Sequence, residues 1–380
     1  MERPPAMPVL KRPAAGHATT SQAGSATSRK RSRTGTEEYE ELACLGEGGF
    51  GAVVLARHRV TGKTVAIKRL ASPDASELQR EARFLDACRG NPYVVGSEGL
   101  LRDLATGGLR LVMEYVAGPS LHSFLWNRRH GPPLPEPTVR AFMWKLLTGT
   151  KMMHDRHVVH RDIKPDNILV GHGQDGELVK ICDLGLAISM SDSPPYTHAG
   201  TVPYMAPEML LQKPDYDALV DTWSLGCVMA EMLTGETLFD DDHHHHRQNE
   251  FDDIGRIAQF WRIFRILGIP DDRTWPGFAA LMPVAARALQ LLPAGHNNRS
   301  KLRDIFPQEK LSEQGFQVLQ GLLTCNPDKR LTAARALKLP WFAAPRPSAA
   351  AAAKVQASPL QRKETPRFQV PIAAWKAQRV

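Results

Sequence analysis

The sequence is poor in cysteine and in long apolar runs. Its 380 residues include five scattered cysteines, an odd number with no Cys-x-x-Cys pair. This pattern supports neither a disulfide framework nor a cysteine zinc site and is typical of a reducing compartment. No run reaches the roughly 18 apolar residues of a membrane span, and the start lacks the apolar core of a secretory signal. We therefore expect an intracellular protein of the nucleus, the cytoplasm or both, with no membrane partner.

A basic excess is absent from the middle of the chain. The net charge is +8, but residues 1–38 hold seven basic and three acidic side chains, and residues 343–380 hold seven and one. Residues 39–342 therefore carry 34 basic against 36 acidic side chains, so no specific nucleic-acid binding is expected there. Both ends are rich in Ala, Pro, Ser or Thr, lack periodicity and are predicted to be disordered. The run Ser28–Arg33 is open to two interpretations, a nuclear import signal or a solvated tail.

Short β-branched runs follow Tyr39. Ala52–Ala56 and Thr64–Lys68 flank the turn-like Val60–Lys63, which predicts a hairpin within a small antiparallel sheet. One helix-like stretch, from about Ser76 to Cys88, interrupts the strands.

Helical spacing dominates after Gly118-Pro119. The spaced apolar residues are Val139, Phe142, Met143, Leu146, Leu147 and Met153. No fixed-period repeat is visible. The pattern predicts a sheet-rich lobe over about 39–116 and a larger, mainly helical lobe over about 117–342.

A glycine-rich string, Gly46-Glu47-Gly48-Gly49-Phe50-Gly51, lies between two of the predicted strands. Glycines let the backbone approach phosphate oxygens and offer N–H groups to them. Alone the string is weak evidence for a nucleotide site, because a Rossmann turn or an ordinary hairpin can also contain it. A dinucleotide site needs a helix to open at the third glycine, whereas a β-branched strand follows here. The sequence therefore favours a hairpin that covers phosphate groups over a Rossmann turn.

Lys68 ends an apolar strand, and Glu81 lies on the predicted helix that follows. Taken singly, each is open to a plain interpretation, an edge lysine and a solvated helix face. Together they predict an ion pair that holds the ammonium against anionic phosphates.

The strongest pattern is His160-Arg161-Asp162-Ile163-Lys164-Pro165-Asp166-Asn167, followed by Asp183-Leu184-Gly185. Phosphoryl transfer from a magnesium nucleotide needs one carboxylate to orient the attacking hydroxyl, a second for the metal ion, and a neutral oxygen ligand. Asp162, Asp183 and Asn167 supply these groups in this order. Lys164 is placed to stabilise charge on the transferring phosphate.

These motifs, in this order, resemble the complete set of a eukaryotic protein kinase over residues 39–342. The motifs are Gly46 to Val53, Val65 to Lys68, Glu81, His160 to Asn167, Asp183 to Gly185, and Ala206-Pro207-Glu208. The resemblance implies an α+β, bilobal kinase fold and protein substrates. Lys164 and Thr201 imply serine/threonine specificity, with Asp162, Lys164 and Thr201 as the catalytic residues.

The same resemblance implies ATP and Mg²⁺ as cofactors. Asn167 and Asp183 are the implied metal ligands, the hinge lies near Glu114–Val116, and Met113 lies behind the adenine. The implied nucleotide-contacting residues are Leu45, Gly46, Glu47, Gly48, Gly49, Phe50, Gly51, Ala52, Val53, Lys68, Glu81, Met113, Glu114 and Val116. Outside the cleft, it implies a buried Glu208–Arg330 ion pair and a helix starting near Asp221 that anchors the catalytic loop.

Within the kinases, three segments resemble the cyclin-dependent group. These are Phe264–Asp272 with Trp275-Pro276-Gly277, Asn326–Thr332, and Pro340-Trp341-Phe342. Tyr196-Thr197-His198 resembles the activation-loop phosphosite, with Thr197 as the acceptor. A phosphate there is expected to pair with Arg161 and Arg80. A cyclin is then a possible partner. Within the cyclin-dependent group, the sequence resembles the divergent plant type.

Four positions depart from that group. Residues 75–81 keep only the final Arg-Glu of the usual cyclin-contacting sequence, and Ile188 replaces a phosphate-binding arginine. Gly49-Phe50 replaces an inhibitory Thr-Tyr pair, and Met205 replaces an arginine of the proline-selecting pocket. Two alternatives therefore stay open: a cyclin-independent kinase without proline preference, and a kinase-fold scaffold that transfers no phosphate.

Two further features have modest consequences. Leu184 stands where phenylalanine is commoner, and we expect a small packing effect with metal binding retained. The run of Asp240–Asp242 and His243–His246 is interpreted as a low-complexity loop and not as a metal site.

Overall fold

The computed structural model describes residues 38–48, 51–71, 75–104, 106–173, 176–240, 253–278 and 299–343. Both predicted tails, the histidine run and Gly49-Phe50 lie outside these residues.

A five-stranded antiparallel sheet forms the first lobe, in the order β1-β2-β3-β5-β4. Its strands are β1 Tyr39–Gly48, β2 Gly51–His58, β3 Thr64–Leu70, β4 Ser97–Arg102 and β5 Leu109–Glu114. The predicted hairpin is confirmed as the β2–β3 pair, and β2 alternates between buried and more exposed positions.

The glycine-rich string closes the β1–β2 hairpin, in which Gly48 pairs with Gly51. Strand β1, Tyr39–Gly48, therefore includes the first three residues of the string. Gly51 has φ +135°, and a Cβ atom there would lie 1.9 Å from the carbonyl oxygen of Arg69. Only glycine fits this crossing of the strands.

Helix α1, Ser76–Ala87, packs against the sheet and agrees with the predicted helix to one residue. Its apolar residues Leu78, Ala82, Phe84 and Leu85 are buried in the main core. Glu81 is buried among them at 2% exposure, which excludes the solvated alternative.

The second lobe is mainly helical, as predicted. Its helices are α2 Leu121–Trp126, α3 Glu136–His154, α4 Pro207–Leu210, α5 Leu219–Thr234, α6 Asp253–Leu267, α7 Leu302–Ile305, α8 Glu313–Leu322, α9 Ala333–Ala336 and α10 Pro340–Ala343. The apolar residues predicted to face the core from α3 are all fully buried. Helix α5 is buried along nearly its whole length and contacts α3 and α8, so it forms the centre of this lobe.

Two small two-stranded sheets in the second lobe were not predicted. Strands β6 Val158–Val159 and β9 Ile188–Ser189 pair, as do β7 Ile168–Gly173 and β8 Gly176–Ile181. Residues 160–167 connect β6 to β7, and residues 182–187 connect β8 to β9. The pairing of β6 with β9 and of β7 with β8 therefore places the two motif-bearing loops next to each other.

Candidate active site

Lys68 on β3 joins two carboxylates from different elements. Its Nζ lies 2.7 Å from Glu81 Oε2 and 2.9 Å from Asp183 Oδ1. The lysine side chain is 12% exposed, and β3 is an inner strand of the sheet, which excludes the edge-lysine alternative. In the strand register, Lys68 faces Val53, which in turn faces Gly46. The ammonium therefore lies next to the glycine-rich hairpin.

Opposite charges keep Lys68 and Asp183 of this cluster ionised. Burial disfavours the charged amine, but the carboxylates of Asp183 and Glu81 together raise the pKa of Lys68. Burial works most strongly against the Asp183 carboxylate, but the charge and hydrogen bond of Lys68, the charge of His160 and the N–H of Gly185 together outweigh it, so the pKa of Asp183 is lowered. For Glu81 burial dominates, and its pKa is raised. Lys68 and Asp183 therefore carry their charges near neutral pH.

Gly185 leaves space for the cluster. A Cβ atom at this position would lie 3.2 Å from Asp183 Oδ1, 3.7 Å from Glu81 Oε2 and 3.8 Å from Lys68 Nζ. Any side chain here would enter the space that the three charged groups share. Steric crowding by the three charged groups therefore explains why the Asp183-Leu184-Gly185 motif ends in glycine.

The loop between β6 and β7 brings Asp162, Lys164 and Thr201 together. Thr201 Oγ1 donates to Asp162 Oδ1 at 2.7 Å and accepts from Lys164 Nζ at 2.7 Å. Lys164 Nζ also lies 3.2 Å from Asp162 Oδ2. Asn167 Nδ2 donates to the carbonyl oxygen of Asp162 at 2.9 Å and to its Oδ2 at 3.1 Å. The Asp162 carboxylate is therefore held at both oxygens.

His160 ties the two motif-bearing loops together. Its Nδ1 accepts from the backbone N–H of Asp162 at 3.2 Å, and its Nε2 lies 3.0 Å from the carbonyl oxygen of Cys182. The N–H of Cys182 donates to the carbonyl oxygen of Asn167 at 2.9 Å. These bonds fix Asp183, which follows Cys182, beside Asn167.

Asp221 on α5 anchors the start of the catalytic loop. Its two oxygens accept from the N–H groups of His160 at 2.9 Å and Arg161 at 2.8 Å, and His154 Nε2 lies 2.9 Å from Oδ2. The aspartate is fully buried, but these hydrogen bonds, that of His154 foremost, lower the pKa of Asp221. The motif resemblance indicated the anchoring helix. Nothing in the sequence indicated His154.

Strain is present at both loops. Arg161 and Asp183 have φ values of +71° and +62°, in the left-handed region that non-glycine residues seldom adopt. Such backbone conformations are common at active sites, where surrounding hydrogen bonds hold them.

Five of the predicted nucleotide-contacting residues lie on β1, β2 and β5 or just after β5. Ala52, Met113 and Val116 are buried, and Leu45 and Val53 are partly buried against the core. Glu114 accepts hydrogen bonds through Oε2 from Lys180 Nζ at 2.7 Å and from the N–H of Gly96 at 3.0 Å. Its carboxylate is therefore engaged by other groups of the protein. Gly49 and Phe50 lie outside the described residues, and Glu47 is exposed.

A second ion pair lies away from this cleft. Arg330 donates to Glu208 through Nη1 at 2.6 Å and Nη2 at 2.7 Å, and both side chains are essentially buried. The pair joins α4 to the loop before α9, as the resemblance implied.

Comparison with known proteins agrees with this geometry. The family model of the protein kinase domain matches residues 39–342. The chain belongs to the protein kinase family. It is an ATP-dependent serine/threonine protein kinase resembling cyclin-dependent kinases, and enzymes of this family use a divalent metal ion.

Several plant relatives are similar to this kinase. It is 45% identical over 315 residues to a protein named as cyclin-dependent kinase F-2 of Oryza sativa subsp. japonica, covering 80% of this chain and 90% of that protein. It is 32% identical over 318 residues to cyclin-dependent kinase B2-1 of the same subspecies, covering 80% and 89%. For cyclin-dependent kinase G1 of Arabidopsis thaliana the identity is 34% over 327 residues, covering 80% of this chain and 49% of the relative.

The described part of the kinase has neither a membrane-spanning helix nor a cluster of three or more metal-ligating side chains. No helix there has the length and apolar character needed to cross a membrane. Within the same residues, no group of three or more His, Cys, Asp or Glu side chains could hold a metal ion.

Proposed function

We propose that Asp162 orients the serine or threonine hydroxyl of a protein substrate and accepts its proton as the hydroxyl attacks the γ-phosphorus of ATP. The bond between the γ-phosphorus and the oxygen that bridges it to the β-phosphorus breaks, and ADP leaves. Lys164 and Thr201 hold Asp162 in place, and the Lys164 ammonium stabilises charge on the transferring phosphoryl group. Lys68 then contacts the α- and β-phosphates. Its ammonium has three N–H donors, and Glu81 and Asp183 occupy two of them.

The metal ion of this proposal is Mg²⁺, held by Asp183 and Asn167. The donor set fits, because Asn167 uses its Nδ2 for Asp162, and its Oδ1 has no hydrogen bond to any described residue. Two protein oxygens are enough, since Mg²⁺ keeps water ligands and binds substrate phosphates. When bound, Mg²⁺ neutralises charge on the phosphate oxygens.

The convergence of Lys68, Glu81 and Asp183 is the observation that carries this proposal. The three residues come from β3, α1 and the β8–β9 connection, and they meet within hydrogen-bond distance. A scaffold has no chemical need for a buried ion cluster of this kind next to Asp162, so this arrangement favours catalysis over scaffolding.

The metal assignment is tested through nucleotide affinity. The ATP dissociation constant is measured with and without Mg²⁺ for the parent, Asp183→Asn and the surface control Asp86→Asn. We expect Mg²⁺ to tighten ATP binding to the parent and the control by at least tenfold, and to Asp183→Asn by less than threefold. An unchanged Mg²⁺ effect in Asp183→Asn would remove Asp183 from the metal site.

A second candidate function is a kinase that works without a cyclin. Glu81 on α1 is already paired with Lys68, and Arg80 donates through Nη2 to the carbonyl oxygen of Gly185. Both contacts form within the single chain. We expect purified kinase to gain less than threefold in kcat/KM on addition of cyclins, and a hundredfold gain would reject this candidate.

Substrate preference, modification and location complete the proposal. Thr197, an exposed residue, is the proposed phosphate acceptor of the activation loop. Met205 is buried in place of the arginine of the proline-selecting pocket, so serine and threonine substrates with or without a following proline are expected to react alike. Paired peptides that differ only in that proline test this.

All five cysteines are free, which fits action in the nucleus or cytoplasm.

A further inference from the structure

Arg161 places a buried cation in the catalytic loop without a carboxylate partner among the described residues. Its side chain instead uses neutral acceptors. Nε donates to the carbonyl oxygen of Leu186 at 2.7 Å, and Nη1 donates to the carbonyl oxygen of Thr197 at 2.7 Å. Nη1 also donates to the phenol oxygen of Tyr216 at 2.8 Å. A buried guanidinium that loses an acceptor is costly, so each of these partners matters.

The Tyr216 hydroxyl completes a closed ring of hydrogen bonds. It accepts from Arg161 and donates to the carbonyl oxygen of Thr197 at 2.7 Å. The two hydrogens of Nη1 and the single phenol hydrogen therefore each have one acceptor. Tyr216 is buried at 2% exposure, and its ring packs against Tyr196 at a centroid distance of 5.5 Å. The ring of bonds forms through the main chain of Thr197, whose side-chain oxygen lies 3.5 Å from Nη1.

This ring is connected to the catalytic aspartate by four residues of chain. Gly200 has φ +119°, and a Cβ atom there would lie 2.6 Å from the carbonyl oxygen of Arg161. Thr201 follows directly and donates to Asp162. The segment from Thr197 to Thr201 thus contacts Arg161 at both ends, so displacement of Thr197 would be transmitted to Thr201 and Asp162.

We propose that Tyr216 is a positioning residue that does the work of an activation-loop phosphate, so that the kinase is active while Thr197 is unmodified. The proposal rests on the catalytic role proposed for Asp162 and Thr201. Two observations support it. The loop is tied to Arg161 through a carbonyl and a phenol, and Ile188 pairs with Val159 where a further phosphate-binding arginine would stand.

Phosphate at Thr197 can still add to this arrangement. Nη2 of Arg161 makes no hydrogen bond to a described residue, so one pair of donors remains for an anion. A phosphate would therefore supply a second means of fixing the loop to Arg161. This predicts that phosphorylation matters little in the parent and matters greatly once the Tyr216 hydroxyl is removed.

The test compares phosphate-free full-length parent, Tyr216→Phe, Thr197→Ala and Tyr196→Phe, with absence of phosphate checked by intact mass. Tyr196→Phe is the matched control, since it removes a neighbouring phenol that bonds only the Asp192 carbonyl. For Tyr216→Phe we expect kcat/KM for a peptide substrate to fall about tenfold while KM for ATP stays within twofold. Thr197→Ala keeps the carbonyl and is expected to stay within threefold of the parent.

Phosphothreonine is then installed at position 197 by semisynthesis. We expect it to restore Tyr216→Phe to within threefold of the parent and to raise the parent by less than threefold. A purely structural loss would not respond to phosphate in this way. Parent kinase that gains a hundredfold or more from the phosphate, or Tyr216→Phe that matches Tyr196→Phe without it, overturns the proposal. If Tyr216→Phe does not fold, the parent and Thr197→Ala measurements still decide.

Asp162→Asn is assayed alongside to separate this proposal from the catalytic assignment. Activity that survives in Asp162→Asn contradicts the role of Asp162. A Tyr216→Phe effect that phosphate does not rescue, with Asp162→Asn inactive, contradicts only the role of Tyr216.

Discussion

Two buried ion clusters of this kinase, one around Lys68 and one around Arg330, differ in how many of their polar atoms have hydrogen-bond partners. All five N–H donors of Arg330 have acceptors, which are the two oxygens of Glu208 and the carbonyls of Leu219, Thr324 and Cys325. The Lys68 cluster is incomplete, since Glu81 Oε1 is buried without a hydrogen-bond partner among the described residues. Asp183 is also 32% exposed. A closed pair stabilises the fold, whereas an incomplete cluster keeps donors and charge for a ligand.

Removing Lys68 tests the incomplete cluster and is expected to have the largest effect. In Lys68→Met, kcat should fall about 10³-fold, because an interaction with the reacting nucleotide is lost. The free energy of unfolding should change by less than about 2 kcal/mol, because buried Glu81 can take up a proton. Steady-state kinetics and urea denaturation measure both quantities. Lys63→Met, which breaks an exposed pair with Glu98, is the control. Equal losses of stability and activity in Lys68→Met would contradict the distinction.

Removing Arg330 tests the role of the closed Glu208–Arg330 pair in stability. Arg330→Met leaves the Glu208 carboxylate buried and unpaired, so the free energy of unfolding should fall by about 3–5 kcal/mol. The KM for ATP of the molecules that remain folded should stay within threefold of the parent. Arg89→Met, at an exposed pair with Asp86, should cost less than about 1 kcal/mol. A stability loss no larger than that of the control would show that the buried pair does not hold the lobe together.

Another buried carboxylate, Glu231, extends the comparison, because no cation is paired with it among the described residues. Glu231 accepts a 2.6 Å hydrogen bond from Tyr204, and burial raises the pKa of Glu231 to about 7. Between the ordinary pKa and this value the folded carboxyl keeps a proton that the unfolded chain has lost. Stability should therefore fall as pH rises from about 4.5 to about 7, by at most about 1.4 kcal/mol per pH unit.

Glu231→Gln removes that titration. Relative to the parent, the variant should gain stability as pH rises across this interval, and denaturation at pH 5 and pH 7 measures the gain. A difference between parent and variant that stays constant with pH would mean that Glu231 does not change protonation on folding.

The smallest expected effect is at Leu184, next to the incomplete cluster. Leu184 is fully buried, so Leu184→Phe must force a larger side chain into a filled space. We expect a loss of about 1–3 kcal/mol in unfolding free energy with an unchanged Mg²⁺ dependence of ATP binding. An increase in stability would indicate an unfilled space around Leu184.

The sequence predicted the residues whose motif order carries chemistry, and it missed the residues that hold them. Lys68, Asp162 and Asp183 were found because their types and order match a requirement of phosphoryl transfer. His154 and Tyr216 were not found, because they act through hydrogen bonds to residues distant in sequence, Asp221 for the histidine and Arg161 and Thr197 for the tyrosine. No local pattern marks such a contact.

The fold shows the same division. The β2–β3 hairpin, α1 and the buried face of α3 follow from residue spacing and were predicted to within a residue or two. The two-residue strands β6 and β9 were missed because they are too short to show a period. They form through pairing with each other, which depends on the rest of the lobe.

The central claim is that Asp162 acts directly on the substrate hydroxyl beside a nucleotide held by Lys68 and Asp183. Phosphate transfer from labelled ATP to a peptide, measured for the parent and Asp162→Asn at equal nucleotide occupancy, tests it most directly. The account predicts a fall in kcat of at least about 10³-fold with the ATP dissociation constant within threefold of the parent. Equal phosphate incorporation by the two proteins would contradict it.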